Sequence, residues 1–427
     1  MHSWSLAILA GVLVAFGTVS RRLHGTVITP AIFFVTAGLI AGSEVLGWFD
    51  LEVESTPIRL LAEATLTLVL FADASRIELG PLRREYAMPA RLLGIGLPLT
   101  IVLGAAFAVG LINELTLAEA VILAIVLAPT DAALGQAVVT DRRLPSRIRQ
   151  GLNVESGLND GICVPLLFIA LAVAEAEAGT VTDTHAVELV LEAIGYGILG
   201  GVIAGALGAM LVRLATRRGL IEPVWLQILT VGSAALAYGL AAPLGGSGFI
   251  AAFVGGFVFG ALRRRAGGEV THLLDQSGEL LNGATFIVFG AVILGPALAD
   301  LTWQVALYAV LSLTVVRMLP VAVALIGTRA RPPTVAYLGW FGPRGLASIV
   351  FAVILVEDAD LPHTQPILLA IVFAIGLSVF AHGISAQPLT DRYARWYKAH
   401  PRPPSMESVA THEHPVRWAR GDGAEPR

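Results

Sequence analysis

The chain has 427 residues, of which 56% are hydrophobic and 14% are charged, and its formal net charge is −4 at pH 7. A soluble domain carries about 25% charged residues, so this composition leaves too little polar surface to cover a water-soluble protein of this size. It excludes a cytosolic enzyme, a nucleic-acid-binding protein and a disordered chain, and it indicates a polytopic membrane protein. The single cysteine, Cys163, excludes an intrachain disulfide and a cysteine-based metal site.

Thirteen apolar runs are long enough, at roughly 20 residues each, to be interpreted as transmembrane helices. The first run has no Lys or Arg before it and is followed by Arg21 and Arg22. A secretory signal has the opposite charge order, so we expect this run to remain as a membrane span. The predicted spans lie near 3–20, 26–42, 57–75, 87–112, 117–135, 147–173, 185–213, 222–242, 246–262, 277–296, 301–327, 334–356 and 363–389.

Basic and acidic loops alternate strictly along these thirteen spans. The basic set contains Arg21, Arg22, Arg76, Arg83, Arg84, Arg142, Arg143, Arg147, Arg149, Arg213, Arg217, Arg218, Arg263, Arg264, Arg265, Arg329 and Arg331. The other loops are acidic or neutral, with only Arg59 near that side. Because basic loops stay in the cytoplasm, we expect a plasma-membrane protein with its N-terminus outside and its C-terminus inside. The Pro-bearing, charged tail at 391–427 is expected to be cytoplasmic and disordered.

Ionisable residues inside spans are informative, because each costs roughly 2.5–3.5 kcal/mol at the bilayer centre. Asp73 lies near the cytoplasmic end of the third span, where it is either a solvated helix end or part of an ion path. In the fifth span Pro129 precedes Thr130 and Asp131. Proline interrupts helical hydrogen bonding, so we expect a helix broken near its middle, with free backbone groups that can coordinate an ion. The alternative is a simple proline kink with Asp131 near the cytoplasmic surface.

The sixth span contains the polar segment NVESGLNDG, residues 153–161. On a helix, Ser156 and Asp160 share one face, and Glu155 and Asn159 share the next. Hard cations prefer oxygen ligands of this kind, and closely placed carboxylates in a low-dielectric site bind protons more readily than isolated ones. The cluster therefore predicts a cation and proton site, with a re-entrant loop of solvated acids as the alternative.

Two arginines lie within later spans. Arg317 requires a counter-charge, and Glu155 is the obvious one because it points away from the Ser156 and Asp160 face. We interpret the two as a structural ion pair. Arg344 lies in GWFGPRGLAS (339–348), a second interrupted span, where it could offset the negative end of a half-helix or the carboxylates. Interrupted spans in both halves of a chain are typical of an inverted-repeat transporter.

Four motifs in this order resemble the NhaP-like and eukaryotic branch of the sodium/proton exchangers, which are monovalent cation:proton antiporters. They are PTD, ESGLND, the arginine of VVRMLPV, and GPRG. The resemblance covers residues 1–390 and implies an all-α, NhaA-like fold of about 13 transmembrane helices, with inverted repeats and two crossed discontinuous helices. It further implies that a core at 87–173 and 301–389 moves against a scaffold at 3–75 and 185–296, and that the scaffold forms a homodimer.

The same resemblance implies roles for individual residues. Asp160 would bind the cation and the proton in alternation, and Asn159 stands where electrogenic relatives carry a second Asp, which implies electroneutral exchange. The residues implied in cation and proton binding are Asp160, Asp131, Thr130, Ser156, Asn159 and Asp73, the cation ligands among them being Asp160, Asp131, Ser156 and Thr130. The residues implied in structure are Glu155 and Arg317 as an ion pair and Arg344 as the charge of the second crossed helix.

The favoured function is therefore an electroneutral Na⁺(Li⁺)/H⁺ antiporter, which is not an enzyme and needs no cofactor. Its partners would be these ions, the lipid bilayer and a second copy of the chain, with no nucleic acid. A K⁺/H⁺ antiporter of the same fold is the alternative. An intramembrane hydrolase using Ser156 lacks a histidine placed to activate it, since only His382 lies well inside a predicted span. A passive cation channel would not need a cluster of proton-binding carboxylates.

Overall fold

The structure is a computed structural model, and its described residues contain helices and no β-strand. The described residues are 3–23, 25–49, 55–77, 87–263, 270–358, 361–400 and 406–408. Some residues of the topology prediction lie outside these ranges, namely Arg83, Arg84, Arg264, Arg265 and most of the segment after His400.

Thirteen helical segments follow the order of the thirteen predicted spans within the described residues, and the fifth and twelfth are each divided into two half-helices. In the part of the chain that the structure describes, eight helices are long and apolar enough to cross a membrane, and four shorter apolar helices accompany them. The bounds are α1 Ser3–Leu23, α2 Pro30–Ala41, α3 Thr56–Arg76, α4 Ala87–Leu111, α5a Leu117–Val126, α5b Gln136–Thr140, α6 Ser146–Ala178, α7 Asp183–Arg217, α8 Pro223–Ala241, α9 Gly248–Arg263, α10 His272–Asp300, α11 Trp303–Ala324, α12a Pro332–Trp340, α12b Leu346–Asp358 and α13 Thr364–Ala399.

The start of α5a is defined by a capping box. The Thr116 hydroxyl accepts a hydrogen bond from the Glu119 backbone N–H at 3.2 Å, and the Glu119 carboxylate accepts one from the Thr116 N–H at 2.9 Å. This pairing satisfies two of the backbone donors that a helix start leaves without helical partners. Glu119 also accepts a hydrogen bond from the His363 backbone N–H at 3.0 Å. The half-helix α5a is therefore held to the segment that precedes α13.

The last helix differs from its prediction. It continues to Ala399, ten residues beyond 389, so the expectation of a disordered tail from 391 is wrong for this stretch. The extension carries charged and aromatic residues, which are unsuited to lipid but compatible with a helix that projects beyond the bilayer. A further helical turn, Met406–Ser408, packs against the helix bundle through buried Met406 and Glu407.

The helices pack mainly in two groups. In the first group, α7 packs on α8 and α9, α9 packs on α3, and α10 packs on α2 and α3. In the second group, α4 packs on α5a, α5a packs on α6, and α11 packs on α12a and α13. Helix α6 contacts α7, α3 and α9 and so lies between the groups. The division of the chain into a scaffold and a core that moves against it stays a prediction.

Candidate functional site

The breaks in α5 and α12 cross each other. The Asp131 backbone N–H donates to the Pro343 carbonyl oxygen at 2.8 Å, so the two interrupted segments are joined main chain to main chain. The Asp131 carboxylate accepts hydrogen bonds from the Ala133 N–H at 2.7 Å and from the Leu346 N–H at 3.0 Å. Leu346 is the first residue of α12b, so Asp131 supplies negative charge at the positive end of that half-helix.

Gly345 lies where a side chain would not fit. A Cβ atom at this position would be 2.2 Å from the Asp131 carboxylate oxygen Oδ2. Glycine therefore lets the Asp131 carboxylate approach the start of α12b closely enough to be hydrogen-bonded there.

Arg344 is fully buried at the same crossing. Its guanidinium Nη1 donates to the carbonyl oxygens of Ala128 at 3.1 Å and Pro129 at 3.3 Å, just beyond the end of α5a. The last carbonyls of a helix lack intrahelical partners and form the negative end of its dipole. Of the two roles considered from the sequence, the structure supports the first: Arg344 neutralises the end of a half-helix.

A short hydrogen-bonded chain joins the α5 break to α6. The Thr130 and Ser156 hydroxyl oxygens are 2.9 Å apart, and the Asn159 side-chain amide donates to the Thr130 oxygen at 2.7 Å. All three residues are buried. The Ser156 hydroxyl, proposed above as a cation ligand, is therefore held beside the backbone of the broken segment.

A cavity of about 40 Å³ lies at this crossing, between α3, α5, α6, α10 and α12b. A cavity needs roughly 10–15 Å³ of such space to hold one water molecule, so this one has room for a small ion with a few waters. The predicted site residues that line it are Asp73, Thr130, Asp131, Ser156 and Asp160. Among the described residues, no three His, Cys, Asp or Glu side chains cluster as a metal site. The lining offers the carboxylates of Asp73, Asp131 and Asp160 together with neutral oxygens, which are the ligand types that hard cations prefer.

The family model for the transmembrane part of the sodium/hydrogen exchangers matches residues 7–392. The chain belongs to the sodium/hydrogen exchanger family. Proteins of this family are cation/proton antiporters and not enzymes. The ring nitrogens of His382, the histidine considered for a hydrolase using Ser156, are hydrogen-bonded to Ser378 and to the Trp340 carbonyl oxygen.

The relatives are named as antiporters for different cations. The K(+)/H(+) antiporter NhaP of Alkalimonas amylolytica is 25% identical over 409 residues, which cover 93% of this chain and 68% of the relative. The K(+)/H(+) antiporter NhaP2 of Shewanella sp. strain ANA-3 is 24% identical, over 89% of this chain and 64% of the relative. A probable Na(+)/H(+) antiporter of Schizosaccharomyces pombe is 23% identical, over 72% of this chain and 42% of the relative. The chain thus spans about two thirds of the length of the two bacterial relatives.

The fold is that of a solved antiporter. The structure of the sodium proton antiporter MjNhaP1 from Methanocaldococcus jannaschii at pH 8 matches with a TM-score of 0.70 and 20% sequence identity, covering 88% of this chain and 98% of that one. An electron-microscopy structure of the same antiporter matches with a TM-score of 0.74 and 19% identity, covering 94% and 100%. Both matches show that this chain has the NhaP-type antiporter fold.

Asp73 lies at the cavity rim and is paired. Its carboxylate accepts a hydrogen bond from the Arg76 guanidinium at 2.9 Å, and Arg76 also forms an ion pair with Asp275 of α10. Asp73 shares the cavity wall with Asp160, and its place on an ion path stays a prediction.

Four of the predicted residues lie behind the cavity wall. Asn159 and Arg344 hold the broken segments, as described above. Glu155 and Arg317 form an ion pair at 2.6 Å, with 3% and 4% of their side chains exposed. Gly342 leaves room for this pair, because a Cβ atom there would be 2.3 Å from the Arg317 Nε. A direct role for Asn159 in cation binding stays a prediction.

Sequence reasoning missed Arg76 and Asn282, which also line the cavity. Arg76 was counted as a loop charge, although its position three residues after Asp73 permits an ion pair on one helix face. Asn282 lies in α10, a span that contains none of the four motifs. No local signal marks it, because its distance from Asp160 is set by the packing of α10 on the rest of the bundle.

Proposed function

We propose that this chain is an electroneutral antiporter that exchanges Na⁺ or Li⁺ for H⁺, with the cation and the proton competing for the Asp160 carboxylate. The observation that carries the proposal is the cavity at the α5–α12 crossing. There Asp160 and Asp131 lie beside the Thr130 and Ser156 hydroxyl groups, and a hard cation prefers such oxygens.

Competition for one carboxylate couples the two fluxes. When Asp160 is protonated it carries no charge, and when it holds a monovalent cation its charge is balanced. The ionised, unoccupied carboxylate carries an unbalanced charge, and moving that charge through the bilayer interior is costly. Loaded states therefore change sides more readily than the unloaded one, which favours exchange over leak without a separate proton relay.

Electroneutrality is supported by the residue next to Asp160. Asn159 cannot ionise, and its amide donates to Thr130 instead of adding a second carboxylate. One titrating carboxylate that releases one proton for one monovalent cation moves no net charge per cycle. We therefore propose a stoichiometry of one cation per proton.

A second candidate function is K⁺/H⁺ exchange at the same site. The observation that favours it is that the NhaP and NhaP2 relatives at 25% and 24% identity are named K(+)/H(+) antiporters. Purified protein in proteoliposomes with an internal pH dye separates the two by addition of Na⁺, Li⁺ and K⁺ in turn. Dequenching by Na⁺ and Li⁺ alone would support the first proposal, and dequenching by K⁺ alone would support the second.

The site is tested with Asp160→Asn in the same proteoliposomes, with and without an imposed membrane potential. We expect the wild type to exchange, the variant to lose exchange, and the potential to have no effect. Asp300→Asn, which changes an exposed Asp at the end of α10, is the matched control and should exchange like the wild type. Exchange by Asp160→Asn would refute the assignment of the carrier, and exchange driven by the potential would refute electroneutrality alone.

We further propose a plasma-membrane homodimer with its N-terminus outside and its C-terminus in the cytoplasm. Support for the orientation comes from the arginines that mark alternate loops. Mass spectrometry of the detergent-solubilised complex would report twice the chain mass for a dimer. A protease added outside intact cells should cleave a C-terminal tag only after the membrane has been permeabilised. That result would support the orientation.

A further inference from the structure

Helix α10 presents polar side chains toward the site. Gln276, Glu279 and Asn282 follow one another at intervals of three residues and therefore lie on one broad face of the helix. Polar and charged groups inside a membrane span are costly unless they face a water-filled cavity or a partner. This face lines cavities between α10 and the α5 break.

Three cavities adjoin one another along this face. The site cavity shares Ala133 and Asn282 with a second cavity of about 370 Å³. The second cavity shares Ala133 and Glu279 with a third of about 630 Å³, whose rim includes Arg142 of the α5–α6 loop. Asn282 thus lies at the junction between the small site and wider space that leads toward the loop side.

The Asn282 side chain carries a buried acceptor with no hydrogen bond. Its oxygen Oδ1 has no partner among the described residues, although the atom is buried. A buried acceptor without a partner is unfavourable. The cavity that Asn282 lines also contains Asp160, and an amide oxygen is a common ligand for hard cations.

We propose that Asn282 is a ligand of the transported cation, and that its side-chain oxygen replaces a water of hydration as the cation passes from the wider cavity to Asp160. This inference rests on the proposed antiport function and deepens it. Asn282 belongs to α10, whereas Asp160 and Ser156 belong to α6. The proposed ligand set therefore draws on α10 as well as on α6 and the α5 break.

The position of Asn282 determines what it does in the cycle. A ligand from α10 contacts the cation only while α6 and α10 are arranged as in this structure. Asn282 therefore sets the apparent affinity for the cation on this side of the membrane and the preference among cations there.

The test is the cation dependence of exchange in proteoliposomes for wild type, Asn282→Ala, Asn282→Asp and Asn113→Ala, measured with Na⁺, Li⁺ and K⁺ separately. For the cation that the wild type transports best, we expect Asn282→Ala to raise KM about tenfold, the effect of losing about 1.4 kcal/mol of binding. The maximal rate at saturating cation should fall by less than about twofold, as expected when binding alone is weakened.

Asn282→Asp keeps an oxygen at the same place, so its KM should be equal to or below that of the wild type. Asn113 lies in the exposed loop before α5a. Asn113→Ala therefore removes the same side-chain amide outside the site and should leave KM unchanged. An unchanged KM in Asn282→Ala, or a KM in Asn282→Asp as high as in Asn282→Ala, would overturn the inference.

A binding measurement gives a second readout that does not require transport. Cation binding to the folded protein raises its thermal unfolding temperature in proportion to RT ln(1 + [L]/Kd). Asn282→Ala should need about tenfold more cation for the same rise, which corresponds to the same tenfold loss of affinity. Suppose that the wild type exchanges and Asp160→Asn does not. An Asn282→Ala variant with the KM and the cation binding of the wild type then refutes this inference alone. If the wild type exchanges none of the three cations, the proposed function fails and the inference falls with it.

Discussion

At the scale of single residues, the buried ion pair of Glu155 and Arg317 bears on stability. Its partners are 3% and 4% exposed and 2.6 Å apart, so removing one charge leaves the other buried without compensation. We expect Glu155→Gln to destabilise the protein by roughly 3–5 kcal/mol. Thermal unfolding of the detergent-solubilised protein, followed by tryptophan fluorescence, measures the change.

The matched control for this prediction is Glu63→Gln, which removes the carboxylate of the Arg59–Glu63 pair on α3. That pair is more exposed, with 44% of the Arg59 side chain accessible, and such helix-surface pairs contribute only about 0.3–0.5 kcal/mol. Equal unfolding temperatures for the two variants would contradict a structural role for the buried pair.

Gly345 provides a second prediction at this scale. A Cβ atom 2.2 Å from the Asp131 oxygen would displace the carboxylate that accepts the Leu346 N–H. We expect Gly345→Ala to lower the exchange rate at least about tenfold, because small misplacements in a preorganised site are costly. The measurement is cation-driven proton flux in proteoliposomes.

Gly232→Ala is its control, since nothing lies within 4 Å of a Cβ at that position in α8. Alanine also favours a helix over glycine by about 1 kcal/mol, so this variant should fold and exchange like the wild type. Normal exchange by Gly345→Ala would show that the close approach of Asp131 to α12b is not required.

At the scale of elements, α12a is held at its start by a residue from far along the chain. The buried Glu407 carboxylate accepts hydrogen bonds from the Arg331 backbone N–H at 2.9 Å and from the Thr334 hydroxyl. Arg331 is the residue before α12a and has no capping hydrogen bond from its own side chain. Glu407 therefore supplies the negative charge that a helix N-terminus favours.

We expect Glu407→Gln to destabilise the protein by about 0.3–1 kcal/mol, because it removes the negative charge at the helix N-terminus while keeping an oxygen acceptor. The unfolding temperature in detergent reports this change. Glu114→Gln in an exposed loop is the control and should unfold like the wild type. If Glu407→Gln also unfolds like the wild type, the docking of Met406–Ser408 does not hold α12a.

At the scale of the whole molecule, the contact between α6 and α9 is a place where the two packing groups meet. Gly161 of α6 faces Phe253 of α9, and a Cβ atom at Gly161 would be 2.3 Å from the Phe253 ring. If the groups move past one another during exchange, no side chain at Gly161 can be allowed to collide with Phe253. We expect Gly161→Ala to lower the maximal exchange rate about tenfold with little change in KM, as when only a step after binding is slowed.

The control is the double variant Gly161→Ala with Phe253→Ala, in which the smaller side chain on α9 makes room for the added methyl group. We expect it to recover most of the maximal rate. The initial rate of cation-driven proton flux over a range of cation concentrations gives both parameters. A double variant no faster than Gly161→Ala would show that the steric contact is not the cause.

Much of the fold could be predicted because its signals are local. Apolar runs of span length determine where the helices lie, and Pro129 and Gly345 mark the two breaks through backbone restriction and close approach. Helix ends were less predictable. The extension of α13 to Ala399 carries charged residues, so it does not continue the apolar run from which the span was predicted.

Part of the candidate site could also be predicted. Ser156 and Asp160 were placed together by helical periodicity, and both line the cavity. The pairing of Glu155 with Arg317 followed from the need of a buried charge for a partner. By contrast, Arg76, Asn282 and Glu407 each act on groups from a different part of the chain, and no periodicity or composition marks such contacts.

The amino-acid sequence alone determined that this is a helical membrane protein with two interrupted spans and a polar cluster in the sixth. Those properties depend on solvation and on backbone preferences, which act over a few neighbouring residues. Only the tertiary structure decided that Arg344 lies on the end of α5a, that Asp131 lies at the start of α12b, and that α10 contributes Asn282 to the cavity. These are contacts between segments distant in the chain, and they are set by how the helices pack.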